Sequence, residues 1–257
     1  MEELARKHSV RVLLYNKGSQ ASLSVPSWWR VQLLPNVGVC DHTYAHHIAE
    51  TYDSLADITI FLPASAHKFV KKKMFDRVFE AAHEGRPRMV RWPNHSLYGD
   101  FAIDNYVPFN KENRTAEVLS SAFCLSPVRP LKNWWKQTLG PYDIDPRGIT
   151  MGGVFSATAD QLRRRPKKLY ETLVAQLSSC VQNEVSHYVE RAWFSIVDPS
   201  ADEYVSTPRT IFLDHVLVPS VASAACLLLL VSPPLALLAT ALALYLSWYT
   251  SLRDRFL

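Results

Sequence analysis

Charge is missing from a long stretch within the last fifth of this chain. Between Val216 and Tyr249 there is no Asp, Glu, Lys or Arg. A helix needs about 20 apolar residues to cross a bilayer core, and this run is longer. A membrane anchor is the expectation, with a buried core helix as the alternative. Catalytic signatures are also missing: there is no GxGxxG, Walker loop, GxSxG or HExxH. The four cysteines, Cys40, Cys124, Cys180 and Cys226, contain no CxxC pair. Neither a zinc site nor a disulfide framework is expected from them, only buried free thiols. MEELARKHSV at the N-terminus lacks the apolar stretch of a signal peptide. The net charge of +4 is small for 257 residues, which argues against a nucleic-acid binder.

Ser232-Pro233-Pro234 interrupts the uncharged run, because tandem prolines kink or end a helix. A kinked span and a re-entrant hairpin both remain open. Trp248 and Tyr249 suit a membrane interface, and Arg253 and Arg255 favour a cytoplasmic C-terminus. A membrane signal confined to the C-terminus predicts insertion after synthesis, with the main domain cytosolic, so the two cues conflict. The sequons Asn94-His-Ser96 and Asn113-Arg-Thr115 matter only on a lumenal face. The expected division is a domain over 1–210 and an anchor with a short polar tail over 211–257.

Strands are predicted at Val10–Tyr15, Val31–Leu34, Asp57–Leu62 and Gly152–Ala157. The Asp57–Leu62 run reads as buried on both faces. Helices are predicted over Asp41–Asp53, with Asp41 as N-cap, and over Ala66–Glu84, Leu131–Leu139, Lys167–Cys180 and Asn183–Val197. Another helix starts at Thr158 or Asp160. The alternation predicts an α/β domain with one mainly parallel, Rossmann-like sheet flanked by helices.

In such a fold polar clusters at strand ends hold ligands. Tyr15-Asn16-Lys17-Gly18 offers an ammonium and backbone N–H groups to a phosphate, with a surface turn as the alternative. Asn36-Val37-Gly38 before a helix start is similar. His42 and His46 have metal-binding spacing but lack a matching third ligand. Asp143-Ile144-Asp145 is a D-x-D triplet in a Pro/Gly loop, so a solvated turn competes with a divalent site. Trp28-Trp29 and Trp134-Trp135 could stack on sugars or fill a core. Arg163–Lys168 could touch anionic headgroups or start a solvated helix. Glu190 and Arg191 beside Trp193 make an ion pair or, in the sharper reading, supply a catalytic carboxylate.

In order, YNKG, LPNVG with HTY..HI...YD.L.D.TIFL, GG.F..T...L..RP and E...Y.ERAW cover Val10 to about Val197. This order resembles the family named domain of unknown function 3431, which is similar to nucleotide-sugar glycosyltransferases with a Rossmann-like sheet of the GT-A type. The resemblance implies that Asn16, Lys17, Asn36, Gly38, His42, Tyr44, Gly152, Gly153 and Trp193 bind substrate and that Glu190 is catalytic. It further implies a nucleotide-sugar donor, a glycan or lipid acceptor, Mn²⁺ or Mg²⁺, and an endoplasmic reticulum or Golgi membrane. Two departures stand out. Gly38-Val39-Cys40 stands where G-R-E is usual, and Phe61-Leu62-Pro63-Ala64 where F-L-Q-G is usual. The family also starts with an earlier strand and an acidic loop, whereas nine residues precede Val10 here. A degraded site would make the chain a non-catalytic scaffold.

Overall fold

The computed structural model describes residues 10–18, 24–67, 69–90, 123–144, 150, 152–197 and 204–206. The chain divides into two units, Met1–Val205 and Ser206–Leu257. The uncharged run, both sequons, Asp145 and Cys226 lie outside the described residues. Among the described residues no helix is long and apolar enough to cross a membrane.

One extended parallel sheet was expected, and the structure corrects this. The strands have two to four residues each and pair only in twos. Strand β1 (Leu13–Asn16) runs parallel to β2 (Arg30–Leu33), with Leu14 opposite Val31. Strand β3 (Ile58–Phe61) runs antiparallel to β6 (Phe155–Thr158), with Phe61 opposite Phe155. Strand β4 (Arg88–Val90) neighbours β8 (Tyr204–Ser206), and β5 (Phe123–Cys124) runs parallel to β7 (Gln182–Asn183). A doubly wound sheet needs helices over both faces. Here Val31 and Leu33 of β2 stay 41% and 63% exposed, so among the described residues no second layer covers that face of the pair. The apolar run of β3 is likewise not buried on both faces: of its four residues only Phe61 is fully enclosed.

Helices carry the core. Helix α1 (Val39–Glu50) buries Tyr44, Ala45, Ile48 and Ala49, a stripe at helical spacing. It packs against α5 (Lys167–Leu177), whose inner face is Leu169, Tyr170, Leu173 and Leu177. Helix α6 (Glu184–Val197) is enclosed on nearly every side and is the centre of the unit. Around these lie α2 (Phe69–His83), α3 (Leu131–Thr138) and the short α4 (Ala159–Arg163). Thr158, not Asp160, caps α4. Its hydroxyl accepts from the Gln161 N–H at 3.2 Å while the Gln161 side chain accepts from the Thr158 N–H at 2.7 Å. Trp134 and Trp135 are core residues, their indole N–H groups donating to Gln176 Oε1 and the Ile144 carbonyl.

The reading of all cysteines as free thiols is also corrected. Cys124 and Cys180 form a disulfide across 56 residues, with Cα atoms 6.1 Å apart. Spacing gave no hint of it, because the two meet only when β5 lies down beside β7. Cys40 remains free.

Candidate functional site

The site is built on the first turn of α1. Gly38 and Val39 are both left-handed, at φ 53° and 41°. For a β-branched valine this is a strained backbone. The Lys17 ammonium, arriving from the end of β1, donates to the carbonyls of Val37 and Val39, the second at 2.5 Å. Gly38 is the helix N-cap and has no room for a side chain. A Cβ there would stand 2.5 Å from the Leu177 carbonyl oxygen and 2.9 Å from His42 Cβ. Its N–H donates to the Cys180 carbonyl at 2.9 Å. Asn36 is exposed, and Asn16 is buried with its Oδ1 accepting from the Gly18 N–H at 2.9 Å, an Asx turn.

Asp41 does not cap α1, as the sequence suggested. It lies inside the first turn, fully buried, and accepts a 2.8 Å hydrogen bond from the Trp193 indole. Trp193 is itself enclosed and packs on Phe155 and Tyr44 at centroid distances of 5.6 and 6.3 Å. Tyr44 donates to the Gly153 carbonyl at 2.8 Å. Glu190, three residues before Trp193 on α6, accepts from the Gly152 N–H at 2.9 Å and lies 3.7 Å from Arg191 Nη1. Its side chain is 23% exposed. Both glycines are left-handed, at φ 84° and 66°. A Cβ on Gly153 would approach Cys40 Sγ to 3.3 Å, and one on Gly152 would meet Met74 at 3.6 Å and Lys71 Cε at 4.0 Å.

Four separate stretches of chain therefore converge: Lys17, then Gly38–Tyr44, then Gly152-Gly153, then Glu190–Trp193. Asn36 stays outside that centre. His42 is stacked on His46 with ring centroids 6.1 Å apart. Its Nδ1 is buried and has no hydrogen-bond partner. Beside this pair the Tyr15 hydroxyl and His47 Nδ1 are 3.0 Å apart. Sequence reasoning missed Cys40 and Lys71 as members of the cluster. Lys71 belongs to a basic run that reads as a solvated helix face, and only the tertiary fold lays it along Gly152.

Burial dominates the electrostatics. It pushes the Asp41 carboxyl up to about 8, helped by the Glu190 charge, while the Trp193 hydrogen bond pulls the other way. Cys40 is raised first by burial and then by Asp41 and Glu190, so its thiol is inert. Burial pulls Lys17 down, against the attraction of Cys40 and Asp41. His42 falls to about 4 through burial, then through Lys17 and His46, and His187 falls to about 4 through burial and Arg191. These shifts predict a stability profile. Asp41 keeps its proton in the folded state and loses it when unfolded, so its contribution is complete below pH 3.8 and disappears as pH rises through 8. The two histidines are neutral when folded, so their contribution is complete above pH 6.5 and disappears as pH falls towards 4. Stability should peak near neutral pH and fall towards pH 8 as the Asp41 proton is held only in the folded state; His47, also lowered by burial, adds to the loss on the acid side. Denaturant melts of wild type and Asp41→Asn check this: the alkaline fall should vanish in the variant, and a fall unchanged by it assigns the slope elsewhere.

The described residues do not fit a divalent metal. Among them no group of three or more His, Cys, Asp or Glu could hold one. Asp143 is an exposed turn residue at φ 54°. Comparison with known proteins adds no assignment: no family model, curated protein or solved structure matches the chain.

Proposed function

We propose that this chain is a membrane-attached, glycosyltransferase-like protein that moves a sugar from a nucleotide sugar to the hydroxyl of a glycan or lipid acceptor. One observation carries the reading. Two carboxyls share the site in different settings: Asp41 is enclosed and held towards its neutral form, while Glu190 keeps access to solvent. A solvent-accessible carboxyl beside an enclosed one is an arrangement in which the accessible group can exchange a proton with a substrate. Glu190 is then the base. One of its oxygens is fixed by the Gly152 N–H, and the other takes the acceptor proton as that hydroxyl oxygen attacks the anomeric carbon. The bond to the diphosphate breaks, and the leaving group departs with the electron pair. Lys71, beside Gly152 with its ammonium donating to Ser65 Oγ at 3.0 Å, is the cation that would turn to meet it.

A second reading, a non-catalytic membrane-attached scaffold, is favoured by Lys17. Its ammonium is committed to two backbone carbonyls, so a diphosphate would have to displace them. Thermal-shift and calorimetric titration with several nucleotide diphosphate sugars, with and without Mn²⁺, separates the two. The transferase reading expects binding with transfer or slow hydrolysis. Absence of any shift on folded full-length protein leaves the scaffold. Membrane attachment rests on the uncharged run Val216–Tyr249. The full chain should resist carbonate extraction, and removal of residues from Val216 onward should release it. Release of the full chain without detergent would refute the attachment.

A further inference from the structure

We infer that the unit Met1–Val205 matures in an oxidising compartment, lumenal or extracellular, where the Cys124–Cys180 disulfide forms and fastens the floor of the candidate site. The inference stands apart from the sugar chemistry. Its starting point is placement: Cys124 lies on β5, and Cys180 lies two residues before β7, the strand paired parallel to it, which brings the Cα atoms to 6.1 Å, within the range a disulfide requires. Other uses of a cysteine pair do not fit. Among the described residues no third ligand completes a metal site, and the separation is far from the CxxC of a redox catalyst. Both cysteines are only partly buried, so an oxidant can reach them. The remaining described cysteine, Cys40, is also partly buried, but burial and the nearby carboxyls raise its thiol, which disfavours the thiolate that would attack the bond.

The chemistry balances with one co-reactant. Two thiols lose two protons and two electrons to a disulfide-bearing oxidant, glutathione disulfide or a protein disulfide, which leaves as two thiols. The cytosol holds such pairs reduced, whereas the endoplasmic reticulum lumen and the cell exterior hold them oxidised. The cross-link is placed where it matters for the site. The carbonyl of Cys180 accepts the Gly38 N–H, and Gly38 is the N-cap of α1. On the Cys124 side the chain is also secured non-covalently: the Ser126 N–H donates to buried Glu184 at 2.8 Å, and Arg129 Nε lies 3.0 Å from that carboxylate. The disulfide closes a frame whose other members are already seated. On this inference the unit lies on the non-cytosolic side, the alternative to the placement suggested by a membrane signal confined to the C-terminus.

The test uses the full wild-type chain expressed in eukaryotic cells. Thiols are trapped with acid and N-ethylmaleimide, reduced, and labelled with a second alkylating agent, and each cysteine is read by mass spectrometry. Cys124 and Cys180 should carry the second label and Cys40 the first. A parallel arm treats sealed microsomes with protease. The unit should survive until detergent is added, or be recovered intact from the medium. First label on both Cys124 and Cys180, or digestion in sealed vesicles, overturns the inference. Neither result depends on whether a sugar donor binds, so this idea and the transferase reading fail separately. A Cys124→Ser variant adds a control: Cys180 should then take the first label, and a Cys180 still blocked in that variant means it pairs elsewhere, which also overturns the assignment.

Discussion

Glu190→Gln should reduce sugar transfer by about 10²–10⁴-fold while leaving donor affinity within a few-fold of wild type. Glutamine keeps an amide oxygen where Glu190 accepts the Gly152 N–H, so the loop over the site keeps its seat. What disappears is the group that takes the acceptor proton. A base acts only as the proton moves, so the loss belongs in kcat and not in donor binding. The variant also removes the charge that helps push Asp41 up, so Asp41 should titrate lower than in wild type. Steady-state transfer to a hydroxyl acceptor, with donor affinity measured separately, checks the first claim. Equal kcat in wild type and variant would remove Glu190 from the mechanism. Loss of donor binding alone would make it a binding residue.

Gly38→Ala should destabilise the unit by about 2–5 kcal/mol. Two effects combine. A left-handed backbone costs an L-residue about 1–2 kcal/mol, and Gly38 sits at φ 53°. Overpacking a filled site adds about 1–3 kcal/mol. The new methyl would lie 2.5 Å from a backbone oxygen of α5, which cannot swing aside as a side-chain tip can. Gly152→Ala is the internal comparison. It bears the backbone cost, but its Cβ meets Met74 only at 3.6 Å, an ordinary contact with a flexible side chain. Denaturant unfolding should therefore rank Gly38→Ala well below Gly152→Ala. Equal stabilities would mean that Gly38 is not wedged against α5. The resemblance assigns Gly38 to ligand binding, whereas the packing describes a glycine that lets two helices meet.

Much of the local structure was legible along the chain. The stripe Tyr44, Ile48 and the face Leu169, Tyr170, Leu173 announce α1 and α5, because helical periodicity acts over neighbouring turns. The end of β3 before Pro63 was readable for the same reason, and the cap of α4 was narrowed to Thr158 or Asp160, of which the structure selects Thr158. Several members of the site were named in advance as well: Lys17, Tyr44, Gly153, Glu190 and Trp193 do converge around α1. Their work within the site was not legible. Lys17 reads as a phosphate contact but holds two carbonyls, and Asp41 reads as a cap but receives an indole N–H.

By itself, then, the sequence placed the helices to within a few residues and four of the short strands, and it showed which faces are apolar and where an uncharged run long enough for a membrane lies. Tertiary structure alone decided the partners. Phe61 lies opposite Phe155, so β3 joins an antiparallel pair and not a parallel sheet. Cys124 finds Cys180 across 56 residues, and Trp193 reaches Asp41 across 152. The physical reason is range. Propensity, capping and periodicity are set within a few residues, but a buried donor takes whichever acceptor the closed core brings to it, and a carboxyl changes its proton affinity only when that core has shut out water.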